Sequence, residues 1–170
     1  FSTLGLNLDI HPKMGIVEVL EYTDQLDAVA LKAYMVNHES GVHVLATTLN
    51  NVALPREIDI GRLNRLLTTL QSTFDHTVVD LPRQIDLPTT TVLERADHVV
   101  ITTQQGLSHL RDTKRLYGIL HDEVGIDRER LLVVVNRYDA KAAITLDDIR
   151  KMLQDIPIEL VPNDYKRVSE

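Results

Sequence analysis

The sequence predicts an α/β fold: a mostly parallel sheet flanked by helices on both faces. Three observations carry this. Apolar runs of strand length alternate with stretches of helical period along the chain, the rhythm of a parallel sheet with crossover helices. Residues 131–135 read Leu-Leu-Val-Val-Val, and an unbroken apolar run suits a strand covered on both faces. Ile60, Leu63, Leu66, Leu67 and Leu70 recur at helical spacing, the mark of a helix with one buried stripe.

Taken in order, residues 1–13 show no strong period, and His11-Pro12 reads as a turn. A short helix is expected over 15–22, with Ile16, Val19 and Leu20 on one face. Asp24 is the expected N-cap of a second helix to about residue 35. Gly41 punctuates, and residues 42–46 read as a short buried strand followed by a loop over 47–55. Asp59 is expected to cap a long helix to about 73. Residues 76–81 read as a strand, because Val78 and Val79 are β-branched, and Pro82 must end its pairing. Residues 83–92 read as a loop containing Pro88, then a helical turn over 92–96 and a strand over 98–103. A helix over 107–123 follows, with Gly125 at its end, then a short turn over 127–130. A strand over 131–136, a helix over 145–153 and a strand over 158–161 complete the pattern, and Pro162 turns the chain toward a helix near Asn163 or Asp164. In a parallel sheet the loops after the strands share one edge, and that edge is where ligands bind.

One domain is the expectation for 170 residues. Both ends read as cut: the chain opens at Phe1 without a recognisable first strand. The chain has no cysteine, so disulfides and thiolate metal sites are excluded. A net charge of −7 argues against broad nucleic-acid binding, which rests on cations meeting phosphate. No apolar run approaches the ~20 residues of a membrane span, and there is no signal peptide. The seven histidines show no metal-like clustering.

Three α/β families with an aspartate at a strand end compete. No pair among the seven glycines has the spacing of a dinucleotide fingerprint. A phosphoacceptor receiver domain needs a strand ending in Lys-Pro, whereas the corresponding strand ends in Asn136-Arg137. A P-loop NTPase needs Gly-Lys-Ser/Thr; none of the six lysines is preceded by Gly or followed by Ser or Thr. The phosphate cradle would therefore lie upstream of Phe1.

The remaining motifs fit that third family. Phe74-Asp75-His76-Thr77-Val78-Val79-Asp80-Leu81-Pro82-Arg83 resembles the Walker B and switch region of the MinD/ParA superfamily, a hydrophobic strand followed by Asp-x-Pro. Asn136-Arg137 resembles its adenine-contacting Asn-Arg, and Pro162-Asn163-Asp164 its base-bordering loop. Within the superfamily the chain resembles the CpaE/TadZ group of Flp (tight-adherence) pilus assembly proteins. This rests on Asp80-Leu81-Pro82-Arg83, Leu93-Glu94-Arg95-Ala96-Asp97, the run from His38 to Leu45 and the run from Leu107 to Leu116. Ala46-Thr47 departs from the group's usual Ala-Pro.

The resemblance implies ATP and Mg²⁺ as cofactors. Asp80 is the implied Mg²⁺ residue, acting through water; Asp80, Pro82, Asn136, Arg137, Pro162 and Asn163 are the implied nucleotide-binding residues. It also implies a homodimer that switches with nucleotide, other pilus assembly proteins as partners, and a cytoplasmic protein at a cell pole or peripheral to the inner membrane. No direct DNA contact and no transmembrane segment are expected. No catalytic residue is assigned, because the lysine-bearing loop is not in this sequence. A non-hydrolysing scaffold of the same fold and a ParA-type partitioning ATPase are the alternatives. Arg111, Lys114 and Arg115 form a basic helix patch, either a solvated face or a partner surface.

Overall fold

The computed structural model describes residue 5 and residues 8–12, 14–21, 26–46 and 58–164. The chain divides into two compact units, Phe1–Val92 and Leu93–Glu170.

The first unit is built on helices. Helix α1 spans Ile16–Glu21. Helix α2 spans Ala28–Tyr34, and its N-cap is Asp27, whose carboxylate accepts from the Ala30 N–H at 2.7 Å. The expected cap, Asp24, lies outside the described residues. Strands β1 (Val36–Asn37) and β2 (His43–Val44) form an antiparallel hairpin. The expected strand over 42–46 is thus reduced to two residues that pair locally. Gly41 dictates this: at φ 85° it takes the left-handed region that glycine enters without a Cβ penalty, and the chain folds back so that His38 N–H donates to Val42 O at 2.9 Å. The expected loop over 47–55 lies outside the described residues. Helix α3 spans Ile60–Thr73, as the apolar stripe predicts, with Asp59 accepting from Arg62 N–H at 2.8 Å as its cap. Leu63, Leu66, Leu67 and Leu70 bury against Val19, Leu20 and Leu31 to form the core of this unit.

Residues 76–81 form no strand. The segment pairs with no sheet strand among the described residues, and Val78 is 95% exposed. β-branching favours a pleated backbone, but a ladder needs a neighbour, and composition does not supply one. Leu81 is the residue of this stretch that packs on the helical core. The expected loop over 83–92 is also corrected, since helix α4 occupies Leu87–Arg95. Asp86 accepts from Thr89 N–H at 2.9 Å, and Pro88 sits in the first turn, where its missing N–H costs nothing.

The second unit is a three-stranded parallel sheet in the order β3 (Val99–Gln104), β4 (Leu131–Tyr138), β5 (Ile158–Pro162). Register runs from Val99 opposite Leu131 to Gln104 opposite Asn136. Helix α5 (Leu107–Gly118) lies on β3 and against α6 (Leu146–Leu153). Val99, Ile101, Leu131, Val133 and Val135 bury on one face of the sheet, and Leu110, Tyr117, Ile149 and Leu153 bury from the helices. The helix expected to 123 is α-helical to Gly118 and continues as a wider, π-helical turn over Ile119–Glu123, closed by Val124 N–H to Ile119 O at 3.0 Å. The left-handed Gly125, φ 82°, then ends it. The short turn expected over 127–130 is a 3₁₀ turn at Arg128–Arg130. Thr145 and Asp148 make a reciprocal capping box on α6. The helix expected beyond Asn163 lies outside the described residues.

Candidate functional site at the carboxyl edge of the sheet

Because β3, β4 and β5 are parallel, their carboxyl ends at Gln104, Tyr138 and Pro162 share one edge. Four of the six expected nucleotide-binding residues come together there. Asn136 lies opposite Gln104 in register. Tyr138 lies opposite Pro162, and Asn163 N–H donates to Tyr138 O at 2.9 Å. Asn136 and Arg137 are therefore held beside Pro162 and Asn163 by backbone pairing.

The β4–β5 ladder shifts register between Val135 and Tyr138. Asn136 and Arg137 occupy this irregularity. Arg137 has φ 55°, the left-handed region that a residue with a Cβ enters at a cost of about 1–2 kcal/mol. Asn136 offsets part of that cost, because its Oδ1 accepts the Arg137 N–H at 2.9 Å. Arg137 is exposed and Asn136 half-buried. Bulges of this kind re-aim side chains at sheet edges. An amide presenting donors and an acceptor, a guanidinium and a proline ring together suit a planar polar group with an apolar face.

The loop after β4 is tied to the loop after β3. Gln105 Nε2 donates to Asp139 O at 3.1 Å and to Ile144 O at 2.6 Å, and its Oε1 accepts Asp139 N–H at 2.9 Å. The sequence pattern marks a strand over 98–103 but gives no sign of Gln105 beyond it. Its partners lie 34 and 39 residues away, so no local pattern could mark it.

Asp80 and Pro82 belong to the first unit and are exposed. Pro82 O accepts Gln84 N–H at 2.8 Å, so the chain turns directly after the aspartate, as a proline there requires. Among the described residues no group of three or more His, Cys, Asp or Glu could hold a metal by itself. A Mg²⁺ that keeps its waters and sits on substrate phosphates needs only one or two carboxylates, and Asp80 is a hard oxygen donor of that type. The basic residues Arg111, Lys114 and Arg115 lie exposed on α5, and Lys114 Nζ donates to Gln154 Oε1 at 3.1 Å. No helix among the described residues is long and apolar enough to cross a membrane.

No family model matches the chain. The septum site-determining protein MinD of Thermotoga maritima is 24% identical over 172 residues, covering 95% of this chain and 62% of that protein. The chain thus spans less than two thirds of the length of this relative. Among solved structures, a ParA family ATPase from Chlorobium tepidum superposes with a TM-score of 0.82 at 23% identity, covering 100% of this chain and 70% of that one. A chain of the MinC:MinD cell division protein complex of Aquifex aeolicus gives 0.70 at 24% identity, covering 98% of this chain and 66% of that one. The chain is thus similar in sequence to MinD and has the α/β fold of the MinD and ParA P-loop NTPases.

Proposed function

We propose that the full-length protein binds Mg²⁺–ATP at the carboxyl edge of its sheet and uses it as a dimerisation switch in assembling and localising a Flp-type pilus secretion machinery. The observation that carries the nucleotide part is the Asn136–Arg137 bulge held beside Pro162–Asn163, a polar edge with an apolar wall that fits a purine base. Asn136 would read the base edge, Arg137 and Pro162 would border it, and Asp80 would hold the hydrated Mg²⁺. When bound, Mg²⁺ would neutralise phosphate charge. This sequence carries no Gly-Lys-Ser/Thr loop to cradle phosphates, so its residues would supply the base and metal contacts rather than the whole site. ATP-dependent ordering of the loop after Asp80 would favour the dimer, as nucleotides order switch loops elsewhere.

The pilus role rests on motifs such as the His38–Leu45 and Leu107–Leu116 runs. The first of these runs folds as a tight hairpin with His38 Nδ1 bonded to Ser40 Oγ at 2.8 Å, and would be the partner-contacting element in this reading. The protein would then act in the cytoplasm, brought to the pole or the inner membrane by its partners. A net charge of −7 disfavours a DNA-partitioning role.

The test is calorimetry and light scattering on the full-length protein with Mg²⁺–ATP, wild type beside Asp80→Ala. Tight binding with an ATP-dependent dimer, both weakened by the substitution, is expected. A dimer indifferent to ATP and to Asp80→Ala would replace the switch with a non-hydrolysing scaffold.

A further inference from the structure

Gln105 has no role in the site as expected from sequence, yet it is the side chain that closes the loop behind the Asn136–Arg137 bulge. Only Gln105 and Gly106 separate β3 from α5. Gly106 N–H donates to Gln104 O at 2.9 Å, so this connection is a tight turn and the position of Gln105 is fixed by the adjacent strand. From there its carboxamide takes both polar groups of the Asp139 backbone, N–H and C=O, and then reaches Ile144 O. It pairs with Asp139 as another strand would and joins the two ends of the loop 139–144. Asp139 in turn folds that loop, its carboxylate accepting Lys141 N–H at 2.8 Å and its carbonyl accepting Ala142 N–H at 3.1 Å. The bulge is thereby clamped on both sides, by the Val135–Leu160 pairing before it and by the Gln105–Asp139 pairing after it.

Together with the Asn136 Oδ1 bond to the Arg137 N–H, these two flanking pairings hold Arg137 in a left-handed conformation against its own preference. A residue in that region stays there only where its surroundings over-determine it. We propose that Gln105 is a positioning residue for base recognition: its carboxamide latches the loop after β4 and so sets the orientation of Asn136 and Arg137 toward the nucleotide base. This rests on the nucleotide reading above.

The experiment uses the full-length protein and fluorescent N-methylanthraniloyl-ATP and -GTP with Mg²⁺, comparing wild type with Gln105→Leu and Gln105→Glu, together with hydrogen exchange of the 139–144 amides. Leucine keeps the volume and loses every hydrogen bond; glutamate keeps the acceptor for Asp139 N–H but sets a carboxylate against two carbonyls. Both variants are expected to weaken ATP binding about tenfold, to narrow the ATP-to-GTP preference, and to speed exchange at Asp139 while Val133 and Val135 stay protected. A generally destabilised fold would speed exchange in β4 as well and leave the base preference unchanged. If wild type binds ATP selectively and Gln105→Leu keeps both affinity and preference, the positioning role is overturned and the nucleotide reading stands. Should wild type bind neither nucleotide, the nucleotide reading fails and takes base positioning with it. Unchanged exchange at Asp139 in both variants overturns the latch itself.

Discussion

Asn136 Oδ1 accepts the backbone N–H of Arg137 at 2.9 Å, where the arginine holds φ 55°. A side chain thus supports the unfavourable conformation of its own neighbour, at the carboxyl edge where the strands converge. Glycine enters this region freely, whereas a β-branched residue does so least well. Arg137→Gly is therefore expected to leave stability within about 1 kcal/mol of wild type, since relief of the left-handed cost is offset by the greater freedom of the unfolded chain. Arg137→Val is expected to lose about 1–2 kcal/mol relative to Arg137→Gly. Urea denaturation of the three proteins compares them. Equal midpoints for the valine and glycine variants would show that the bulge relaxes out of this conformation at no cost.

The capping box on α6 makes stability depend on acid. Hydrogen bonds from the Thr145 side chain, then from its backbone, hold the Asp148 carboxyl below its ordinary value of 3.8. Asp86 is shifted the same way, first by the Thr89 backbone N–H at the start of α4. A carboxyl whose folded pKa is depressed contributes stability that is fully present above its unfolded value and is lost as pH falls through the folded value. Stability should therefore decline below about pH 4, and Asp148→Asn should flatten part of that decline while lowering stability at pH 7. Thermal melts between pH 2.5 and 7 measure it; an unchanged slope for Asp148→Asn would remove Asp148 from the acid response.

Much of this architecture is legible in the sequence, and the failures share a cause. α3 is legible because its period reports burial directly, with Leu63, Leu66, Leu67 and Leu70 buried; β4 is legible because its unbroken apolar run marks a covered strand, with Leu131, Val133 and Val135 buried and Leu132 and Val134 half-buried. Asp59 is legible as a cap because a cap acts within three residues. Residues 76–81 are misread because Val78 and Val79 report the backbone's preference, not the presence of a partner strand. α4 is misread because Pro88 breaks a helix interior but suits a first turn. In the site, Asn136, Arg137, Pro162 and Asn163 are legible as strand-end residues. The left-handed Arg137 and the Gln105 latch are not, since each depends on contacts between distant parts of the chain.

The contrast between Leu66 and Val78 is a direct test of the first unit. Leu66 is 1% exposed and Val78 is 95% exposed. Truncating a fully buried leucine removes its transfer free energy and leaves a cavity, so Leu66→Ala should cost about 2–5 kcal/mol in this chain. Val78→Thr should fall within about 0.5 kcal/mol, as exposed substitutions do. Denaturation midpoints of this chain decide the matter. A large loss at Val78 would show that residues 76–81 pair or pack in solution in a way that their exposure does not reveal.

Arg130 closes the end of α4. Its Nε donates to Ala96 O at 3.0 Å, and its Nη2 donates to Leu93 O at 2.9 Å, to Glu94 O at 3.0 Å and to Ala96 O as well. The last carbonyls of a helix have no partner within it and carry the negative end of its dipole. One guanidinium here meets three of these terminal carbonyls, and its fixed fork suits the task where a lysine ammonium would not. Hydrogen bonds to a charged group contribute about 1.5–3 kcal/mol, and the carbonyls left behind would be only partly rehydrated. Arg130→Ala is therefore expected to destabilise the chain by about 2–3 kcal/mol, and Arg130→Lys to recover less than half of that. Hydrogen exchange adds the location: in Arg130→Ala the amides of the last turn of α4 should exchange faster, while those of α3 keep their wild-type rates. A lysine that restores full stability would show that charge at the helix end suffices and that the fork geometry contributes nothing.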